Sequence, residues 1–283
     1  MLEILQDCVI DTVKIIPFLF LTYLLMEYIE HRTSEKTKGV IRRAGKMGPL
    51  LGGVLGAIPQ CGFSAAAAGF YSGRVITVGT LLAVFLSTSD EMLPILLSSQ
   101  VPLTTILHIV GLKALIGILA GILADFFLRK FNQRKIGDSI HDLCDHDQCH
   151  CEESIVKSAA KHTLNITLFI FLVSLALNLV IALIGEDNLG NVILNQPVVG
   201  EILAGIIGLI PNCAASVVIT TLYMEGAMSA GAMMSGLLVG AGVGLLVLFR
   251  TNSNLKENMK ITGLLYVSGV AGGLALELLQ VTL

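Results

Sequence analysis

Apolar positions along the chain fall into long uninterrupted runs around 9–28, 75–99, 101–128, 161–184, 227–249 and 261–282. Each is long enough to cross a bilayer, because a hydrocarbon core of ~30 Å takes about 20 helical residues. Two further apolar stretches, 48–72 and 200–224, carry a proline near their middle, Pro59 and Pro211. Proline has no backbone donor and breaks a helix where it stands. The piece from Gly48 to Ile58 covers roughly 16 Å at the helical rise, about half a bilayer. Gly62 adds backbone freedom after the break, and 61–72 supply a second half-length helix. The pattern predicts a re-entrant helical hairpin over 48–72, its tip Pro59-Gln60-Cys61-Gly62 near the membrane midplane. It predicts a second over 200–224 with the tip Pro211-Asn212-Cys213-Ala214. A single kinked span over each stretch is the competing reading.

These stretches match one another. At a shift of 152 residues (Pro59 to Pro211), Ile58-Pro59-Gln60-Cys61 aligns with Ile210-Pro211-Asn212-Cys213. Without a gap the register continues through Ser64/Ser216, Tyr71/Tyr223, Gly79/Gly231, Gly117/Gly269, Gly121/Gly273 and the acidic pair Asp125/Glu277. Matches at proline, cysteine, tyrosine and acidic positions go beyond what Gly- and Leu-rich segments share by composition. The expected organisation is a first repeat over 1–128, a polar linker over 129–160 and a second repeat over 161–283. With each hairpin returning to its own side, a half makes three crossings, so the halves are inverted. The fold class expected is all-α: a polytopic membrane protein of two inverted-topology repeats, each with three spanning helices and a re-entrant hairpin.

Composition agrees with a membrane class. Hydrophobic residues make up 54% of the 283 and charged residues 14%, against roughly 25% charged in soluble domains. The placement of charge says more than its sum. In the hairpin topology Arg32, Lys36, Lys38, Arg42, Arg43, Lys46, Arg74, Arg129, Lys130, Arg134, Lys135, Lys157, Lys161, Arg250, Lys256 and Lys260 share one side. The opposite side receives Ser98-Ser99-Gln100 and Glu186-Asp187, with no Lys or Arg in either. The positive-inside rule makes the basic side cytoplasmic and puts both termini outside a bacterial-type inner membrane. The N-terminal residues lack a basic n-region, so the first run is expected to stay as a helix. The six cysteines do not form a secreted disulfide framework.

Inverted repeats whose broken helices meet at the midplane are a secondary-transporter design, and irregular backbone at that depth must line a cavity or be buried in protein. The expected substrate site is therefore the meeting of the two tips: Gln60 and Asn212, Cys61 and Cys213, with Ser64 and Ser216 one turn on. The halves differ at 87–91, where Ser87-Thr88-Ser89-Asp90-Glu91 stands opposite Val239-Gly240-Ala241-Gly242-Val243. Charge inside a span is costly and marks an ion path. Hydroxyls plus carboxylates suit a hard cation, and Asp90 and Glu91 are the expected metal ligands. Asp11 and Lys14 can pair on one helix face, His108 and Lys113 can join a proton relay, with helix packing the equal alternative for His108, and Asp125 and Glu277 sit at span ends. The linker adds His141, Asp142, Cys144, His146, Asp147, Cys149, His150 and Cys151, a density that suits a transition metal although the spacing fits no closed zinc site.

With Ile58-Pro-Gln-Cys-Gly-Phe-Ser64, Ser87-Thr-Ser-Asp-Glu-Met-Leu-Pro94 and Ile210-Pro-Asn-Cys-Ala-Ala-Ser216 in view, the chain resembles the ten-helix heavy-metal exporters, permeases of the arsenic-efflux and manganese-transport kind. The resemblance covers nearly the whole chain and implies efflux of a toxic cation or metalloid; five helical pieces per half would make ten. A divalent cation such as Mn²⁺ leads as cargo, and the paired thiols keep trivalent arsenic open. Coupling to H⁺ or Na⁺ is expected, with no resident cofactor and no nucleic-acid partner; a homodimer is compatible with the sequence. The alternative is an anion transporter using the positive helix N-termini at the tips. A membrane enzyme is disfavoured, since no His-Glu-x-x-His, Gly-x-Ser-x-Gly or P-loop occurs.

Overall fold

The computed structural model describes residues 9, 10, 12, 13, 16, 17, 19–21, 23, 24, 47–58, 61–89, 92–128, 155–184 and 198–279, and the described part of 9–24 is helical. The further helices are α1 (Gly48–Gly56), α2 (Cys61–Ser72), α3 (Val78–Ser87), α4 (Met92–Ser98), α5 (Leu103–Phe127) and α6 (Ile155–Ile184). They continue with α7 (Val199–Gly208), α8 (Cys213–Met224), α9 (Ala230–Val239), α10 (Val243–Thr251) and α11 (Leu255–Leu278). Among the described residues four helical stretches are long and apolar enough to cross a membrane: 78–98, 103–127, 230–251 and 255–278.

Two of those stretches are not continuous helices. The runs 75–99 and 227–249, expected to cross unbroken, stop at Thr88-Ser89 and at Gly240-Ala241-Gly242. The first break has a local cause. Ser87, Thr88 and Ser89 turn their hydroxyls back onto the carbonyls of Ala83 (2.6 Å), Val84 (2.7 Å) and Ser87 (3.2 Å), competing with the next helical turn. Thr88 leaves the helix at φ −57°, ψ 130°. At the second break Gly242 takes φ +53°, ψ −139°, a conformation open to glycine.

All of α3 and most of α9 are buried, so they form the centre. By contrast α5 leaves Leu107, Leu115, Leu119, Ile122 and Phe126 exposed, an apolar outer side that suits lipid. Each central helix starts on a hydroxyl cap: Thr77 accepts from the Thr80 amide and Ser229 from the Ala232 amide, both at 3.1 Å. Each also starts on a carboxylate from the end of a long helix. The Gly79 amide donates to Asp125 at 2.8 Å and the Gly231 amide to Glu277 at 2.9 Å.

The same packing recurs 152 positions on. A Cβ added at Gly121 would press on the Gly79 carbonyl, and one at Gly273 would lie 2.5 Å from the Gly231 carbonyl, so α5 crosses α3 and α11 crosses α9 backbone to backbone. Beside α3 lies α1, its start at Thr80 and its end, Gly56, at Val84 and Ser87. Beside α9 lies α7, with Gly205 at Ser235 and Gly208 at the Gly236 carbonyl. Arg74 (φ +59°) and Gly226 (φ +75°) occupy matching left-handed turns after α2 and α8.

A polar cluster ties α2 to the start of α11. Glu257, 1% exposed, accepts from Tyr71 and is ion-paired with Arg74, whose second guanidinium nitrogen donates to it at 3.1 Å. Burial pulls the Arg74 pKa down, but Glu257 and Tyr71 more than offset this and leave it above the usual arginine value. The guanidinium therefore keeps its charge at any working pH.

Candidate functional site

Breaking α3/α4 and α9/α10 leaves free backbone groups in the interior, and a lysine meets them. Lys113 lies in α5, about 15 Å along the helix from Leu103, and is 1% exposed. Its ammonium donates to the Thr88 carbonyl and, at 2.9 Å, to the Leu237 carbonyl. Thr88 closes α3 and Leu237 belongs to the last turn of α9. Helix C-termini carry partial negative charge, so two such ends converge on one cation. Position 265, the counterpart of Lys113, is leucine; the centre is therefore asymmetric.

Around this junction lies a cavity of about 20 Å³, lined by Thr88, Ser89, Lys113, Asn212 and Ser216 among its polar residues and by the glycines Gly208, Gly236, Gly240 and Gly242. That volume holds about one water-sized species. The glycines keep backbone, rather than side chains, at the wall. Asn212 is buried and opens α8 in extended conformation (φ −146°, ψ 148°), with its amide donating to the Ile210 carbonyl at 2.7 Å. The Ser216 carbonyl accepts from the Thr220 hydroxyl at 2.7 Å, which fixes the first turns of α8.

Of the residues singled out in the sequence, Thr88, Ser89, Asn212 and Ser216 come together here. Ser87 turns toward Gly56, and Ser64 packs against Gly244 of α10. Gln60, Asp90, Glu91 and the linker residues His141, Asp142, Cys144, His146, Asp147, Cys149, His150 and Cys151 lie outside the described residues, as do Asp11 and Lys14; Cys61 and Cys213 open their helices with side chains outside the description. Among the described residues no group of three or more His, Cys, Asp or Glu side chains is placed to hold a metal. His108 is exposed on α5, apart from the buried face that carries Lys113. Lys113 itself, read in the sequence as a candidate proton-relay residue, is the central charge. Its signal was there to use: within the run 101–128 it is the only Lys or Arg.

Residues 1–185 match a family model described as "Putative, 10TM heavy-metal exporter". No curated protein and no solved structure matches the chain.

Proposed function

The chain belongs to this heavy-metal exporter family, a multi-pass membrane protein, and on that premise we propose that it is a secondary transporter moving a single metal or metalloid ion through the cavity at Lys113. The observation that carries the reading is the Lys113 ammonium resting on the Thr88 and Leu237 carbonyls. The centre is already built to hold positive charge. A small cation entering the cavity competes for the same two carbonyls and releases the ammonium, which links cargo binding to movement of α5 against α3 and α9. Ser89, Asn212 and Ser216 add neutral oxygen donors, and Asp90 and Glu91 follow Ser89 in the sequence. Oxygen-rich sets favour hard divalent ions, so Mn²⁺ or a similar cation is the cargo proposed, exchanged against H⁺ or Na⁺. Cys61 and Cys213, opening α2 and α8, keep arsenite as the softer option.

The transporter architecture has specific support. α1 runs beside α3 from its first turn to its last, while α2 ends at Ser72 and α3 begins at Val78. Gly48 and Ser72 therefore belong at the same end of α3, which favours a re-entrant hairpin over a kinked span. The pairs Gly79–Asp125 and Gly231–Glu277 favour two copies of one unit, inverted by the odd number of crossings each makes.

An anion transporter is the second reading, favoured by the same Lys113 charge. Thermal stabilisation of the purified protein by Mn²⁺, Zn²⁺, Co²⁺, arsenite and arsenate separates the two, with Asp90→Asn run beside the wild type. Stabilisation by a divalent cation that is lost in Asp90→Asn is expected. Stabilisation by arsenate alone, unchanged in Asp90→Asn, would sink the cation reading.

A further inference from the structure

We propose that Glu201 and Glu277 form a binding site for one small hard metal cation at the end of the second half, separate from the central cavity. Glu201 stands in the first turn of α7 and its side chain is 0% exposed. Neither of its carboxylate oxygens has a hydrogen-bond partner. A buried carboxylate left in that state is strongly unfavourable. The backbone does not let it swing out: the Ser235 hydroxyl donates to the Glu201 carbonyl at 2.7 Å and pins this turn against α9.

The second carboxylate comes from the opposite direction. Glu277, in the last turn of α11, accepts from the Gly231 amide at 2.9 Å. A Cβ placed on Gly231 would lie 3.0 Å from Glu201 Oε1 and 2.5 Å from Glu277 Oε2. The two carboxylates thus converge over one glycine whose missing side chain leaves the space between them. Among the described residues no Lys, Arg or His forms an ion pair with either of these two groups. Two carboxylates without a cationic side chain make an all-oxygen donor set for Na⁺, Mg²⁺, Ca²⁺ or Mn²⁺ rather than for a thiophilic ion.

The helix crossing does not need this pair. In the first half Asp125 holds the Gly79 amide in the same way, but Pro49 occupies the place of Glu201. One carboxylate per half suffices for the crossing, and the second half alone carries another. Glu201 also lies about 10 Å along α7 from Gly208 at the cavity wall, too far to share an ion with the centre. The site therefore goes beyond the cargo site proposed above and does not depend on it.

The test is cation-dependent thermal stabilisation of the full chain in detergent, after chelation, titrating Na⁺, K⁺, Mg²⁺, Ca²⁺, Mn²⁺ and Cd²⁺ separately. Wild type, Glu201→Gln, Glu277→Gln and Asn212→Ala are compared; Gln at 277 can still accept from Gly231. At least one hard cation is expected to raise the wild-type midpoint saturably, with half-saturation shifted tenfold or more in both Glu variants and less than twofold in Asn212→Ala. If Glu201→Gln does not fold, Glu201→Asp, which withdraws the ligand by one methylene, is expected to show the same shift. Absence of any hard-cation effect on the wild type overturns the site, as does a half-saturation that is the same in the wild type and in both Glu variants for every cation tested. Loss only in Asn212→Ala would assign the ion to the central cavity and overturn it equally.

Discussion

The Lys113 ammonium donates to the Leu237 carbonyl at 2.9 Å, joining α5 of the first half to the last turn of α9 in the second. With the Thr88 carbonyl as its other partner, this one side chain fastens both helix breaks. Lys113→Met keeps the length of the stem and removes the charge. It leaves two buried carbonyls short of a donor, at a cost of about 1–3 kcal/mol each. Metal export from cells or loaded vesicles is expected to fall at least tenfold, while Lys113→Arg retains part of the activity. Wild-type export by Lys113→Met would remove the lysine from the mechanism.

A different contact joins the halves at the Arg74–Glu257 ion pair. Glu257 is buried and Arg74 reaches it with two nitrogens. Removing one partner of a buried pair costs roughly 3–5 kcal/mol because the other charge is stranded; Arg74 is partly exposed, so the lower end applies. Arg74→Ala is expected to lower the thermal midpoint clearly, and Tyr71→Phe, which deletes one hydrogen bond to the same carboxylate, by about a third as much. Equal effects of the two variants would contradict this ranking.

Glycine contacts make a sharper demand. A Cβ at Gly208 would run into the Gly236 carbonyl, and one at Gly111 meets nothing within 4 Å. Gly208→Ala is expected to destabilise by roughly 1–3 kcal/mol through overpacking, whereas Gly111→Ala, in the body of α5, is expected to be neutral or to gain up to about 1 kcal/mol from helix propensity. Expression level and thermal midpoint of the two variants give the comparison.

The all-helical class, the long apolar helices and several of the close contacts between them were legible in the sequence, for a physical reason. The pairs Gly79/Gly231, Gly121/Gly273 and Asp125/Glu277 stand out because each crossing and each cap demands a particular residue type at a fixed offset. The breaks at 88–89 and 240–242 were harder. Hydroxyls inside an apolar run read as ligands, and Gly240-Ala241-Gly242 reads as small-residue packing; neither carries a proline such as Pro59 or Pro211. What decides such a break is hydrogen bonding by Thr88 and a positive φ at Gly242, and hydropathy registers neither. Lys113 needed the partners that only the folded chain supplies, since a lone lysine in a span says that it is buried with something but not with what. Glu201 was hidden in the same way, as one acidic residue at the start of an apolar stretch.

The break at Gly242 gives a prediction that touches no polar group. Gly242 lines the central cavity and holds φ +53°, ψ −139°, a region that a residue with a Cβ reaches only at a cost of about 1–3 kcal/mol. Gly242→Ala therefore forces either strain at the cavity wall or a rotation that moves the start of α10. Since Gly244 of α10 packs against Ser64 and Phe85, the displacement reaches the first half as well. Gly242→Ala is expected to reduce export by tenfold or more while the thermal midpoint falls only by the amount of the strain. Gly240, at φ −67° and ψ 83°, makes no such demand, and Gly240→Ala is expected to be the milder variant of the two. Export measured side by side at matched expression decides it: if the two alanine variants behave alike, the left-handed turn is not what shapes the centre.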